Sequence, residues 1–410
     1  MKTCLKNIAL LLNPRADGSF EEIHDAAILF DDKVIRLGGE SDVLSQARDL
    51  KAEMADAGGL LVTPGLVDSH THPAFAEPRA AEFELRSQGK TYQEIAAAGG
   101  GIRSSVRALR AISEDELVER MLPRLDRFLQ YGMTTIEAKS GYGLSTEHEL
   151  KQLRAIQRCN NRHPLDLVPT LLAAHEVPDE YRSNRQKYLD IVVNETIPAA
   201  AEQKLAQFCD VFCEDGVFSV EECRRVLEAG KRHGLKPKIH ADQLSDTGGA
   251  ELAAEVGAVS AEHLDHISDQ GIEKMVAAGV VFTLLPGSVI FLGLNRYPPA
   301  RRILEKGGTL ALATDFNPGS SPTQNLPLMM TLACSFCTLT IREALWAATR
   351  GGARALNREE RVGSLNPGCQ ADLVIWDCHD ERLIPYYFGM NLVKGVYKSG
   401  RQVEFAKAQF

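Results

Sequence analysis

Two histidines separated by one residue, His70 and His72, follow a short apolar run at residues 60–67. If that run is a β-strand, its side chains alternate between two faces, so both imidazoles project to the same side. Two imidazoles at the end of one strand could bind one metal ion. Two surface histidines in a loop are the ordinary alternative for such a pair, but further candidate ligands downstream favour a metal site.

Further polar side chains stand where later apolar runs end. They are Lys139 and Tyr142, His175, Glu214, His240 and Gln243, His263, and Asp315 with Asn317. Three imidazoles and one carboxylate suit one Zn²⁺, with an iron ion as the alternative. A metal can lower the pKa of bound water from ~15.7 to about 7, which favours hydrolytic attack on a carbonyl or amidine carbon.

The elements that must position these groups alternate between strand-like and helix-like segments. The eight strand candidates are the run that ends near His72 and segments 132–143, 165–177, 209–219, 235–243, 258–266, 280–288 and 309–320. Three intervening helices begin with a Ser/Thr-x-x-Glu capping-box pattern, at Thr146–Glu149, Ser219–Glu222 and Thr340–Glu343. Alternation of this kind indicates parallel βαβ units, and eight of them close a (β/α)8 TIM-like barrel. Catalytic groups of such a barrel gather at the C-terminal ends of its strands.

Both ends of the chain consist of short strands and turns. We therefore expect residues 1–60 and 356–410 to form one small β-sandwich domain, and residues 61–355 to form the hydrolase barrel. The longest segment between predicted barrel strands and helices, residues 80–113, follows the first barrel strand and contains Gly99, Gly100 and Gly101. This glycine run either hinges a lid over the site or forms an ordinary loop.

Composition excludes several classes of protein. The 410 residues are 44% hydrophobic and 25% charged, as in a globular protein, and the net charge of -9 argues against nucleic-acid binding. Nine cysteines at irregular spacing do not make a disulfide framework. The first residues contain only a short apolar run, and no stretch approaches the ~20 apolar residues of a membrane span. A cytoplasmic protein without a membrane partner is expected.

The order of these groups resembles the amidohydrolase superfamily. Its members carry His-x-His on the first barrel strand, His on the fifth and sixth, and Asp on the eighth. The pattern falls here on His70, His72, His240, His263 and Asp315. Two-metal members bridge their metals with a modified lysine on the fourth strand, where this chain reads FCEDG, so the resemblance implies one metal. Lysine on the second strand, Lys139, is expected to pair with a neighbouring acid such as Glu137.

A narrower resemblance rests on six motifs that occur in one order: HTHPAFAEPRAAEFELRSQGKTYQEIAAAGGGI, EAKSGYGL, AAHEVP, HADQLSD, AEHLDH and ATDFNPGSSP. Together they are similar to the imidazolonepropionase family of histidine degradation. The resemblance implies that the metal ligands are His70, His72, His240 and Asp315. It implies substrate contacts from Arg79, Tyr92, Tyr142, His175, Gln243, Asn317, Gly319 and Ser320. It also implies a homodimer.

The substrate that this family implies is 4-imidazolone-5-propanoate, whose free carboxylate suits a bidentate contact with Arg79. The implied reaction is attack of metal-bound hydroxide on the ring carbonyl, which yields N-formimidoyl-L-glutamate. Catalytic roles are expected for Asp315, as ligand and proton acceptor, and for His263, which would polarise the carbonyl and assist proton transfer. Gln243 completes the expected catalytic set and fits recognition of the ring.

Two other functions compete with this interpretation. A purine or pyrimidine aminohydrolase would share the barrel, but related deaminases carry Glu three residues after the fifth-strand histidine. Gln243 occupies that position here and cannot ionise. A non-catalytic scaffold would be expected to lose metal ligands, and this chain retains all four. The C-x-x-C pair Cys334 and Cys337 lies in an apolar helical stretch and is expected to pack in the core.

Overall fold

A computed structural model describes residues 2–90, 94 and 99–404 of the chain. Within them the strands form one seven-stranded sheet, built from both ends of the chain, and one eight-stranded sheet. The strands in chain order are β1 (Thr3–Pro14), β2 (Phe20–Phe30), β3 (Val34–Gly39), β4 (Glu53–Pro64), β5 (Leu66–Asp68), β6 (Met133–Lys139), β7 (Asp166–Ala174), β8 (Phe208–Cys213), β9 (Lys236–Ala241), β10 (Ser260–His263), β11 (Val281–Leu284), β12 (Leu310–Leu312), β13 (Leu373–Trp376), β14 (Val393–Lys398) and β15 (Arg401–Gln402).

Strands β5 to β12 form the barrel, and each pairs in parallel with the next along the chain. Two backbone hydrogen bonds beyond the strand ends close it. The amide of Asp315 donates to the carbonyl of His70 at 3.1 Å, and the amide of His72 donates to the carbonyl of Phe316 at 2.8 Å. The TIM-like barrel and all eight strand candidates are therefore confirmed, and the closing bonds bring the first and last candidate ligand segments together.

Helix Glu40–Asp49 packs on the terminal sheet, and most other helices and turns cover the outside of the barrel. The helices are Glu40–Asp49, Ala80–Ser87, Ile102–Ala111, Glu114–Gln130, Thr146–Arg162, Arg185–Ile191, Ile197–Glu202, Val220–Arg232, Gly249–Val256, Asp269–Ala278, Pro286–Phe291, Ala300–Glu305, Leu326–Phe336, Ile341–Trp346, Gly352–Ala355 and Leu383–Tyr386. Short π-helical turns at Val192–Thr196 and Ala347–Gly351 join neighbouring helices, and Asp179–Tyr181 forms a 3-10 turn. Among the described helices, none has the length and apolar character needed to cross a membrane.

Two of the three predicted capping boxes are present, and the third is not. Ser219 with Glu222 and Thr340 with Glu343 each form the reciprocal pair of side-chain to backbone hydrogen bonds. The prediction for Thr146 with Glu149 is wrong, because the helix is capped by Ser145, whose hydroxyl accepts from the amide of His148. The carboxylate of Glu149 instead points to a turn beside the candidate site.

The terminal sheet supports the first barrel strand. β4 pairs in parallel with β1 and antiparallel with β13, so the two ends of the chain meet on it. The rings of Phe30 on β2 and Tyr397 on β14 lie 5.4 Å apart, because the sheet folds over a shared apolar core. A single residue, Gly65, separates β4 from β5. The separate terminal sheet is confirmed; β4 extends past residue 60, and the domain boundaries at 60 and 355 stay a prediction.

Cys334 and Cys337 lie at the end of the apolar helix Leu326–Phe336. Cys337 is buried and Cys334 is partly buried, and both pack with the main hydrophobic core. Burial raises the pKa of the Cys334 thiol to about 11 and that of Cys337 to about 12, so both are protonated near neutral pH. The prediction that this pair packs in the core is confirmed.

Candidate metal centre and active site

Four side chains from the two ends of the barrel sheet and its middle converge at the C-terminal mouth. His70 Nε2 and His72 Nε2 lie 3.3 Å apart. Asp315 Oδ1 lies 3.4 Å from His70 Nε2 and 3.7 Å from His72 Nε2. The ring centroid of His240 lies 4.5 Å from that of His70. His70, His72 and Asp315 each bring one ligand atom within 4.8 Å of the others, and His70, His240 and His263 form a second such group that shares His70. Nitrogen and oxygen donors of this kind suit a transition-metal ion.

Buried carboxylates orient two of the imidazoles. Glu262 Oε2 lies 3.0 Å from Nδ1 of His70, and Asp210 Oδ2 lies 3.0 Å from Nδ1 of His240. The Glu262 carboxylate accepts a hydrogen bond from Nδ1 of His70, so the lone pair of that ring is on Nε2. Both ring nitrogens of His240 are buried without a hydrogen bond, and its Nδ1 lies within ion-pair distance of Asp210. Nε2 of His240 is therefore open to a bound metal ion.

Burial keeps three imidazoles of the centre neutral. Burial lowers the pKa values of His70, His72 and His263 well below that of an ordinary histidine. Burial raises the pKa of Asp315 to about 7, although His240 and Asn317 oppose that rise. A divalent cation in contact with the carboxylate would lower this pKa again. Neutral imidazole is the form that binds metal.

A buried ion network lies directly beneath the candidate ligands. Lys139 Nζ contacts Asp210 Oδ2 at 2.6 Å, Glu137 Oε2 at 2.9 Å and Glu262 Oε2 at 3.1 Å. Lys238 Nζ contacts Glu137 Oε1 at 2.8 Å and Glu262 Oε1 at 2.9 Å. Burial disfavours the charged ammonium, but the three carboxylates outweigh it and raise the pKa of Lys139 above its usual value. The predicted pairing of Lys139 with Glu137 is confirmed, with two further carboxylate partners.

Asp315 is fixed by the turn that follows it. The hydroxyl of Ser320 donates to Asp315 Oδ2 at 3.2 Å and accepts from the Asn317 amide at 2.7 Å. The Asn317 side chain also donates to the backbone carbonyl of Asp315 at 2.7 Å. Asp315 has a φ of 54° and His263 a φ of 75°, conformations that cost energy in residues other than glycine. In these backbone conformations both residues line the cavity at the mouth of the barrel.

A cavity of about 610 Å³ opens beside the candidate ligands, and three of them line it, His72, His240 and Asp315. On its far wall the side chain of Arg79 is 7% exposed. Its Nε and Nη1 are buried without a hydrogen-bond partner, and Nε lies 3.8 Å from Glu82 Oε2, so the guanidinium has donors to offer an anion. A Cβ atom added at Gly319 would lie 1.1 Å from Arg79 Nη2. Gly319 therefore supplies the space in which the guanidinium lies.

Tyr142 and His175 form another wall. His175 Nδ1 donates to the carbonyl of Gly141 at 2.9 Å, and burial lowers its pKa to about 3, so Nε2 carries a lone pair. The segment 141–144, called here the Tyr142 turn, is held by Glu149. Its carboxylate accepts hydrogen bonds from three backbone amides, those of Gly141 at 3.0 Å, Gly143 at 2.8 Å and Leu144 at 2.7 Å. The side chain of Gln152 accepts from the Tyr142 amide at 3.0 Å.

The remaining predicted residues are placed as follows. His263 and Gln243 are buried and line the cavity, as do Arg79, Tyr142, His175, Asn317 and Ser320. Glu214 is directed to the next loop, where it accepts from the Leu244 amide at 2.8 Å and from the Ser245 hydroxyl. Tyr92 lies outside the described residues.

Sequence reasoning missed the carboxylates Asp210 and Glu262 and the second lysine, Lys238. Each lies inside a strand that reads as apolar or mixed, so no end-of-strand position marked it. One signal was available: Lys238 and His240 are two residues apart on β9, and Glu137 and Lys139 are two apart on β6. Such charged side chains on one face of a buried strand need partners inside the barrel.

Comparison with protein families matches residues 76–404 to the amidohydrolase family. Among curated proteins, an imidazolonepropionase from Symbiobacterium thermophilum is 51% identical over 392 residues, which cover 93% of this chain and 92% of that protein. An imidazolonepropionase from Geobacillus kaustophilus is 49% identical over 372 residues, 90% of this chain and 88% of that protein.

Two solved structures share the architecture at low sequence identity. Guanine deaminase from E. coli has a TM-score of 0.75 at 15% identity and covers 99% of this chain and 100% of its own. An adenosine deaminase from Xanthomonas campestris with bound zinc has a TM-score of 0.72 at 17% identity, with coverage of 98% and 92%. At these identities the likeness shows the common fold alone.

Proposed function

The chain belongs to the imidazolonepropionases, within the amidohydrolase family, and we propose that it hydrolyses 4-imidazolone-5-propanoate to N-formimidoyl-L-glutamate in histidine degradation. The observation that carries this proposal is the guanidinium of Arg79, with two buried nitrogens that make no hydrogen bond, in the same cavity as three candidate metal ligands, His72, His240 and Asp315. A small substrate with a carboxylate at one end and a hydrolysable amide at the other suits both features.

The proposed cofactor is one Zn²⁺, with an iron ion as the alternative, held by His70, His72, His240 and Asp315. Three imidazoles and a carboxylate suit either metal. The carboxylates of Asp210 and Glu262 are poor ligands for a second ion, because the ammonium of Lys139 already lies 2.6 Å from Asp210 and 3.1 Å from Glu262. This geometry supports a single metal, as the absence of lysine from the FCEDG segment also does.

Substrate binding is assigned to the cavity walls. The Arg79 guanidinium binds the propanoate carboxylate through charge-assisted hydrogen bonds. Nε2 of His175 accepts a hydrogen bond from a ring N–H, since its Nδ1 is committed to Gly141. Tyr142 and Gln243 contact the ring, and Tyr92 completes the proposed set. Asn317, Gly319 and Ser320 form the adjoining wall and hold Asp315 and Arg79 in place.

When bound, the divalent cation lowers the pKa of water and polarises the ring carbonyl. Asp315 accepts a proton from the attacking water and returns it to the ring nitrogen as the C–N bond breaks. His263, whose Nδ1 is buried without a partner, hydrogen-bonds the carbonyl oxygen as negative charge develops there. Addition of one water thus opens the ring and leaves a new carboxylate.

The test is a direct assay with 4-imidazolone-5-propanoate generated freshly from urocanate. Loss of ultraviolet absorbance is followed with and without a chelator, and the product is identified by mass. Chelator-sensitive formation of N-formimidoyl-L-glutamate is expected. Metal-loaded protein that leaves this substrate untouched but deaminates guanine or cytosine would overturn the proposal in favour of an aminohydrolase. Gln243 argues against that outcome, because an amide cannot shuttle protons.

We propose further that the protein is a cytoplasmic homodimer and acts without nucleic acid or membrane. Sedimentation at micromolar concentration checks the mass, and a stable monomer would refute the dimer. Cell fractionation with an antibody checks the location.

A further inference from the structure

The orientation of two proposed metal ligands depends on two buried carboxylates. Glu262 faces Nδ1 of His70 and Asp210 faces Nδ1 of His240, each at 3.0 Å. These carboxylates are themselves held from one side by a single ammonium, that of Lys139. All five side chains are almost fully buried, and the proposed chemistry does not use Lys139.

We propose that Lys139 is a positioning residue, which holds Asp210 and Glu262 where they aim the Nε2 atoms of His240 and His70 at the metal. The inference rests on the metal site of the proposed function. It goes beyond that function because it assigns a role to a side chain that reaches neither metal nor substrate.

The geometry singles out Lys139 from the second lysine. Its Nζ touches Glu262 Oε2, the same oxygen that faces His70, whereas Lys238 touches the other oxygen, Oε1. Lys139 also touches Asp210 Oδ2, the oxygen that faces His240. One ammonium therefore contacts both oxygens that orient metal ligands. Lys238 approaches Glu262 through Oε1 instead, and its third partner is the carbonyl of Ser69 at 3.1 Å.

The buried network needs the positive charge of Lys139 to balance its carboxylates. Two ammonium groups and three carboxylates occupy the dry interior of the barrel, so the network with Lys139 has one excess negative charge. Without Lys139, Asp210 would lose the one ammonium partner it has among the described residues, and Glu262 would keep Lys238. A buried unpaired carboxylate is costly, so Asp210 would turn away from its present position. That movement would release His240 from its fixed orientation.

The test compares Lys139→Met with a matched control, Lys398→Met. Lys398 is also a buried lysine in an ion network, with Nζ 2.7 Å from Asp372 and 2.8 Å from Asp166, but it lies between the terminal sheet and the start of β7. Zn²⁺ affinity is measured on folded full-length protein by competition with a chromophoric chelator. K139M is expected to bind Zn²⁺ about 10- to 100-fold more weakly than the parent protein. K398M is expected to lose stability but to keep its Zn²⁺ affinity within about twofold.

A double-mutant cycle tests the route of the effect. If Lys139 acts through Asp210, the loss in K139M/D210N will be smaller than the product of the losses in K139M and D210N. If K139M does not fold, Lys139→Gln, which keeps hydrogen-bond donors but no charge, takes its place with the same expectation. Zn²⁺ affinity within twofold of the parent, or a loss equal to that of K398M, would overturn the inference. A parent protein that binds no Zn²⁺ would instead refute the metal site of the proposed function.

Discussion

Substitution of Gly319 by alanine should damage substrate binding while the fold stays intact. The new Cβ would lie 1.1 Å from Nη2, 2.1 Å from Cζ and 2.7 Å from Nε of Arg79. A carbon and a nitrogen need about 3.5 Å, so the guanidinium must move by roughly 2 Å. That displacement is larger than a charge-assisted hydrogen bond tolerates. Loss of a buried carboxylate contact costs about 3 kcal/mol, which corresponds to roughly a 150-fold fall in kcat/KM.

Stability should change little in the same variant. The clashing atoms are at the end of one flexible side chain, and Gly319 is not among the glycines with positive φ, so alanine fits its backbone. A lower entropy of the unfolded chain offsets part of the remaining cost, and the free energy of unfolding should change by about 1 kcal/mol or less. Chemical denaturation of the parent and G319A measures this difference.

The assay is kcat/KM for 4-imidazolone-5-propanoate beside an analogue whose carboxylate is a carboxamide. G319A should lose much less on the neutral analogue, and in an R79M background it should lose almost nothing further. Gly39→Ala is the control glycine, since an added Cβ there meets no atom within 4 Å and the φ of Gly39 is -57°. Retention of kcat/KM within threefold, or equal losses on both substrates, would refute the reasoning.

Three further predictions use the same centre. His263→Ala should lower kcat by several orders of magnitude while metal content stays at the parent level, both measured on one preparation; a parallel fall in bound metal would make His263 a ligand instead. Removal of metal by a chelator should abolish activity and lower the unfolding temperature, and Zn²⁺ at about 100 times its Kd should restore about 2.7 kcal/mol of stability, as followed by thermal unfolding. Glu149→Gln replaces one acceptor oxygen by a donor that faces backbone amides, so it should cost about 1–3 kcal/mol of unfolding free energy and raise KM through the Tyr142 turn. Unchanged KM in E149Q would show that the turn does not depend on this carboxylate.

The barrel and its mouth were predictable from the sequence because buried parallel strands read as apolar runs with polar residues at their ends. All eight runs are strands in the structure, and the proposed ligands stand at their ends. The interior network was not predictable in the same way. Glu262 pairs in register with His240, and this register is set by the packing of the whole barrel rather than by spacing along the chain. Which carboxylate meets Lys139 therefore depends on strands that are far apart in sequence.

Glu149 shows a different limit of local reasoning. Thr146-x-x-Glu149 fits the capping-box pattern, yet the neighbouring Ser145 takes the N-cap position. Three backbone amides of the preceding turn compete for the same carboxylate, and they bind it more completely than one N-cap amide could. Thr146 and Glu149 do have the capping-box spacing. The backbone amides of the turn before the helix nevertheless determine which groups the Glu149 carboxylate binds.

The position of β4 has a consequence for synthesis on the ribosome. One edge of β4 pairs with β1, which is made first, but its other edge waits for β13, roughly 300 residues later. At about 5–20 residues per second this wait lasts roughly 15–60 s. During that time an apolar strand edge is open to other nascent chains. Since β5 follows β4 after one residue, the strand that precedes the proposed ligands His70 and His72 gains its full anchor only when the C-terminal strands have emerged.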